Sequence, residues 1–261
     1  MTLAASASAA AQTSLPSSMA STGDSITRAF NTGLVPYTDA PRNSWSTGPR
    51  PYVQSHYRRI LAVNPAIFGR AFNNARSGAE MSELPRQMSV VNTQQVDYVT
   101  VLMGANDACA SSEAAMTPVG EFSAQFRAAM NTVSTGSPQA TVYVVSIPDV
   151  YRLWLIEHEN PSARLAWRLT GFCRSMLANP GSTAPEDEAR RQRVRQRIID
   201  YNRVLATVCA EYAMCRFDGN AVFDYPFARR HVSNRDYFHP SLEGQRALAE
   251  VSWNAGPFAG R

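Results

Sequence analysis

The chain reads as an α/β fold on a mostly parallel sheet, and three stretches carry that reading. Val96-Asp97-Tyr98-Val99-Thr100-Val101-Leu102-Met103 is β-branched and nearly all apolar, the mark of a strand buried on both faces. Thr141-Val142-Tyr143-Val144-Val145-Ser146-Ile147 repeats that pattern and stops at Pro148. Helical periods separate and follow them: Phe122, Phe126 and Met130 recur every fourth residue, and Val194, Ile198, Tyr201, Leu205, Val208 and Tyr212 recur at steps of four and three. In such folds parallel strands deliver their carboxyl ends to one rim of the sheet, where chemistry gathers.

Taken in order, residues 1–14 read as a tail and 15–261 as one domain. Met1 to Gln12 is rich in Ala and Ser with several A-x-A frames, resembling the cleavage end of a secretory signal peptide without its basic and apolar parts. A plain disordered tail is the other reading. Ser18-Met19-Ala20-Ser21-Thr22 occupies a strand position but is far less apolar than a buried central strand should be. After Ser25 a short helix is expected to about Phe30. The Pro/Asn/Thr-rich stretch from Asn31 to Pro51 then reads as an irregular binding loop. Tyr57, Ile60 and Leu61 mark a helix running to Val63, and Ala66–Phe72 a second strand leading to Gly78.

Thr117-Pro118 reads as the N-cap and first residue of the next helix. Val150 to Gly171 is mixed amphipathic, with Trp154 and Trp167. Glu186–Tyr212 is the longest helix, acidic in its first turn as the helix dipole favours. Arg190, Arg191, Arg193, Arg195 and Arg197 crowd its next turns and read as a solvated face or a contact for anionic lipid head groups. Ala221–Asp224 reads as a last short strand, and Ser241 as the N-cap of a final helix through Trp253.

Two strings at opposite ends carry chemistry: Gly23-Asp24-Ser25-Ile26 and Asp236-Tyr237-Phe238-His239-Pro240. A serine hydroxyl becomes a nucleophile only when a base takes its proton, and an imidazole serves as that base when a carboxylate fixes its tautomer. Asp236, three residues before His239, can fold back in one turn to accept from a ring nitrogen. His56, His158 and His231 have no partner spacing suggesting chemistry and read as surface or satisfied structural residues.

Between the strings lie Ala75-Arg76-Ser77-Gly78-Ala79 and Gly104-Ala105-Asn106-Asp107. Gly-Asp-Ser, then Gly, then Gly-x-Asn-Asp, then Asp-x-x-His resembles the SGNH (GDSL-type) hydrolase family over roughly residues 19–255. The resemblance implies a three-layer α/β/α sandwich of flavodoxin-like character, and no G-x-S-x-G elbow points to the α/β-hydrolase fold instead. It implies Ser25 as nucleophile, His239 as general base and Asp236 as its orienting partner. The Ser25 N–H, the Gly78 N–H and the Asn106 amide would form the oxyanion hole, one such donor being worth about 3 kcal/mol in the transition state. Asp24 and Asp107 read as short acceptors that hold backbone N–H groups in tight turns.

The implied activity is ester hydrolysis through an acyl-serine, with no cofactor and no metal. Ser44-Trp45-Ser46-Thr47-Gly48, Asn73 to Leu84 and Gly104 to Cys109 loosely resemble the phospholipase B/lipase-type branch, which favours lipid esters. A polysaccharide acetyl esterase of the same family is the alternative, and a binding module that kept the fold but lost the reaction is a further one.

Composition bounds the rest. At 261 residues and 44% hydrophobic, one domain buries roughly 70–75% of its unfolded surface. No apolar run reaches the ~20 residues that span a bilayer. All 25 basic residues are arginine, and the net charge is only +4. This fits a GC-rich bacterial genome better than a nucleic-acid partner. The expected partner is an ester substrate, at a lipid surface if lipid is the substrate, and the chain is expected to be a monomer.

Cys109, Cys173, Cys209 and Cys215 allow three pairings. Cys209 and Cys215 are close enough to staple a helix end, leaving Cys109 with Cys173. Two disulfides and the signal-like start point to secretion. Zinc is disfavoured because C-x₂-C spacing is lacking, and Cys109 as a nucleophile would duplicate Ser25.

Overall fold

A computed structural model describes residues 14–261, so residues 1–13 of the predicted tail lie outside the described residues. Five strands form an all-parallel sheet: β1 (Met19–Gly23), β2 (Ala71–Asn73), β3 (Tyr98–Leu102), β4 (Thr141–Val144) and β5 (Cys215–Phe217), in spatial order β2-β1-β3-β4-β5. Among the described residues ten α-helices connect or cap them: α1 (His56–Val63), α2 (Leu84–Gln94), α3 (Ala105–Ala108), α4 (Val119–Gly136), α5 (Val150–Glu157), α6 (Pro161–Thr170), α7 (Arg174–Leu177), α8 (Pro185–Ala210), α9 (Ala221–Asp224) and α10 (Leu242–Asn254).

Alternate strand residues separate two cores, as a period of two requires. Ala20, Val99, Val101, Val142 and Val144 pack against α2, α4 and α8. Met19, Tyr98 and Tyr143 pack with Trp45, α1 and α10 on the other face. The result is an α/β/α sandwich. Its strand order reverses direction between β1 and β3, the switch point where ligands of such sheets bind.

β1 is fully buried despite its polar sequence, and its hydroxyls explain how. Ser21 Oγ pairs with Thr47 Oγ1 at 3.1 Å, Thr22 Oγ1 donates to the Thr100 carbonyl at 3.1 Å, and Ser18 Oγ accepts from Asp97 N at 3.0 Å. Small side chains also let Ser44, Trp45 and Ser46 lie buried against the sheet. Residues 43–48 of the predicted binding loop are therefore core, while 49–51 stay exposed.

Other expectations need correction. The segment after Ser25 is a succession of turns, with Arg28 N on Asp24 O and Phe30 N on Ser25 O, both at 3.0 Å; Ala29, in left-handed backbone, prevents a helix. The second strand is only Ala71–Asn73, because Pro65–Ile67 forms a 3₁₀ turn. Pro118, predicted as the first helical residue, is itself the N-cap of α4. Val150–Gly171 is two helices, and Gly171, left-handed, closes the second.

Ala221–Asp224 is a short helix, not the last strand; that strand is Cys215–Phe217. Asp218 takes the Val222 N–H on Oδ2 at 3.1 Å and turns the chain into α9.

Arg191, Arg193, Arg195 and Arg197 of α8 are each engaged by partners within the protein. Arg191 is fully buried, with its guanidinium 4.0 Å over Trp154 and bonds to the Asn179 and Ser182 carbonyls. Arg193 grips Glu113, Arg195 binds Asp149 at 2.8 Å, and Arg197 donates to the Thr117 carbonyl. Both cysteine pairs are bonded, Cys109–Cys173 and Cys209–Cys215.

Candidate active site

Ser25 follows β1 directly, and the chain before it is tightly held. Gln87 clamps Gly23 with both ends of its amide, donating to Gly23 O at 2.9 Å and accepting from Gly23 N at 2.8 Å. Gly23 has φ +141°, and a Cβ there would sit 2.3 Å from the Leu102 carbonyl oxygen, so only glycine fits. Asp24 Oδ1 accepts from Ile26 N at 2.8 Å and fixes the turn.

The carboxyl-terminal string arrives at the same rim. Asp236 is fully buried. Its Oδ1 accepts from the N–H groups of Phe238 (3.0 Å) and His239 (3.1 Å). Its Oδ2 accepts from His239 Nδ1 and from Asn31 Nδ2, both at 2.8 Å. Burial raises its pKa, but these bonds and the facing imidazole outweigh burial and hold it below the usual carboxylate range.

With Asp236 as acceptor the proton sits on Nδ1, leaving His239 Nε2 to accept from Ser25 Oγ at 3.0 Å. Tyr237, left-handed within the turn, offers its carbonyl to Trp167 Nε1 at 2.9 Å. Phe30, Phe172 and Phe238 surround the imidazole with ring centroids 4.7–5.5 Å away.

The loops carrying the predicted donors are tied to the end of β1 and to each other. Arg76 N bonds Gly23 O at 3.1 Å, tying the Gly78 loop to the end of β1. Gly78 has φ +81°, which demands glycine. Asn106, in α3 at the end of β3, uses one amide hydrogen on the Ala79 carbonyl at 2.9 Å, leaving the other unused. Asp107 Oδ2 accepts from Met81 N at 2.9 Å, a second tie between the two loops. Among the described residues, neither the Ser25 N–H nor the Gly78 N–H has a hydrogen-bond partner.

A cleft of about 780 Å³, counted out to its open mouth, runs from Ser25, Asn106 and His239 along Leu153, Ile156 and Phe227. Its wall is mainly apolar. His231 lines it too, with Nδ1 accepting from Ala228 N at 3.0 Å, so its ring is structurally engaged. His56 is a satisfied core residue between Tyr98 and Ser252. Among the described residues no cluster of His, Cys, Asp and Glu could hold a metal ion.

Sequence reasoning missed Asn31, Trp167 and Gln87, each of which steadies the site. The lone usable signal was Asn31 itself, in a stretch already noted as irregular.

The GDSL-like lipase/acylhydrolase family pattern matches residues 22–247, which include Ser25, Gly78, Asn106, Asp236 and His239. The chain belongs to this family. It is a carboxylic ester hydrolase.

Solved structures with the same fold include an α/β hydrolase enzyme from the metagenome of Lake Arreo, with TM-score 0.57, 16% identity, and coverage of 94% of this chain and 96% of that one. An extracellular lipase from Streptomyces rimosus has TM-score 0.55 and 19% identity, covering 92% and 99%. A family 3 carbohydrate esterase from Clostridium thermocellum has TM-score 0.54 and 14% identity, covering 91% and 93%. No curated protein matches the sequence.

Proposed function

We propose that this chain is a secreted enzyme that cleaves acyl esters of lipid type through an acyl-serine intermediate. The observation that carries the reading is the run of bonds Ser25 Oγ–His239 Nε2 (3.0 Å) and His239 Nδ1–Asp236 Oδ2 (2.8 Å) at the mouth of an apolar cleft. His239 takes the Ser25 proton as Oγ attacks the ester carbonyl. The negative charge on the carbonyl oxygen develops toward the unpaired N–H groups of Ser25 and Gly78 and the free Asn106 amide hydrogen. His239 then protonates the leaving alcohol, and in the second half activates water against the acyl-serine.

The apolar wall of Leu153, Ile156 and Phe227 suits an acyl chain better than a sugar ring, which needs polar partners. Two disulfides suit an oxidising compartment.

The test is a p-nitrophenyl ester series from C2 to C12, run beside phospholipid vesicles and acetylated xylan. The parent should prefer chains longer than acetyl, and Ser25→Ala should lose about 10³-fold or more in kcat. A Ser25→Ala enzyme as fast as the parent ends this assignment. Acetylated xylan as the best substrate moves it to a carbohydrate acetyl esterase.

A further inference from the structure

Between β4 and α8 the chain inserts α5 and α6, and this hairpin has apolar residues on both sides. Inward, Leu153 and Ile156 line the cleft, and Trp167 holds the Asp236–His239 turn through Tyr237 O. Outward, Leu165 and Leu169 are 52% and 78% exposed. Each is two residues from Trp167, roughly 200° around the helix, so they face away from the protein. Burial of the inner face does not explain two leucines placed i, i+4 on the water side.

The charges beside them differ from those of α8. Arg168 and Arg174 are exposed, and among the described residues neither has a carboxylate partner. Arginines without local counter-charge beside exposed leucines are complementary to an apolar layer capped by anionic head groups.

The hairpin is also braced. Cys109–Cys173 anchors its far end, Trp154 Nε1 donates to the Pro180 carbonyl at 2.8 Å, and Arg152 Nε donates to the Phe227 carbonyl at 2.5 Å.

We propose that the outer face of α6 docks the enzyme on an anionic lipid surface, so that acyl chains enter the adjoining cleft from that surface. The proposal rests on the ester-hydrolase reading of the Ser25 site and names the surface from which that site draws its substrate.

The test uses the Ser25→Ala full chain, which leaves vesicles intact, in co-sedimentation with phosphatidylglycerol vesicles and with phosphatidylcholine vesicles. Binding should favour phosphatidylglycerol. Leu165→Ser with Leu169→Ser should weaken it about tenfold, and Arg168→Glu with Arg174→Glu by at least roughly fivefold per charge.

Phe68→Ser with Arg70→Glu is the matched control. It removes an exposed aromatic (77%) and an arginine just before the amino end of β2, opposite the rim that carries Ser25, and should change nothing. In the Ser25-intact chain, all three pairs should hydrolyse p-nitrophenyl butyrate within about twofold of the parent.

No binding to phosphatidylglycerol vesicles overturns the proposal, as does a control pair that loses as much as the leucine and arginine pairs. Either result, with p-nitrophenyl butyrate hydrolysis intact, removes the docking face and leaves the esterase reading standing.

Discussion

A carboxylate that orients a histidine must itself be held, and Asn31 does this for Asp236 from 205 positions away. Asn31 donates to Oδ2, the oxygen that also faces His239 Nδ1, while its own Oδ1 accepts from Tyr37 N at 3.0 Å. Removing the donor leaves Asp236 freer to rotate and partly undoes its lowered pKa. Asn31→Ala should therefore lower kcat about tenfold with KM near the parent value, since the bond acts on the base and not on substrate. Asn31→Asp should be worse, because it sets a second negative charge against Asp236. Equal kcat for all three proteins would remove Asn31 from the machinery. Ser25, Asp236 and His239 were readable because each lies in a short string with its own chemistry. Asn31 was not, because its partner is chosen by the fold and not by spacing.

Where elements were misread, a tertiary contact overrode the local pattern. β1 looked too polar to be central, yet its hydroxyls are satisfied by Thr47, Thr100 and Asp97, none of them a sequence neighbour. Cys215–Phe217 escaped notice because three residues carry no measurable period. β3, β4, α8 and α10 were legible because each is long or uniformly apolar enough for its period to show.

The disulfides act at this same scale. Cys109–Cys173 closes a separation of 64 residues and joins the segment after Asn106 to the loop bearing Phe172, which packs on His239. Cys209–Cys215 closes only 6 and ties the end of α8 to β5. Loop entropy assigns about 4 kcal/mol to the first and about 2 kcal/mol to the second. Cys109→Ala/Cys173→Ala should then lose more denaturant stability than Cys209→Ala/Cys215→Ala, and it alone should also lower kcat. A kcat unchanged in the first pair would show that the clamp does not steady the site.

The whole molecule joins its two ends at one rim because parallel strands place Ser25 and Asn106 together, and α10 returns the carboxyl-terminal turn to them. The folded molecule also buries ionisable groups of opposite pH behaviour. His56 is fully buried, with Nε2–H donated to Ser252 Oγ (2.8 Å) and Nδ1 accepting from Tyr98 OH (2.9 Å). Burial and then the nearby Arg59 push its pKa down to about 3. Its contribution to stability is therefore full above about 6.5 and is lost as pH falls toward 3. Asp24 and Asp107 behave oppositely: burial, opposed by backbone bonds, raises them to about 7 and about 6. Their neutral forms favour folding below about pH 4, and that contribution is lost as pH rises toward 7 and 6. Each change is of the order of a few kcal/mol, and with two carboxylates against one imidazole the balance between pH 4 and 6 is a net loss of about 1.4 kcal/mol per pH unit as pH rises. Unfolding free energy of the parent, measured by denaturant across that window, should fall as pH rises. His56→Gln should make that fall steeper, and Asp24→Asn, which leaves Asp107 against His56, should make the profile nearly flat. Parallel slopes in all three proteins would show that these buried groups do not set the pH response of the fold.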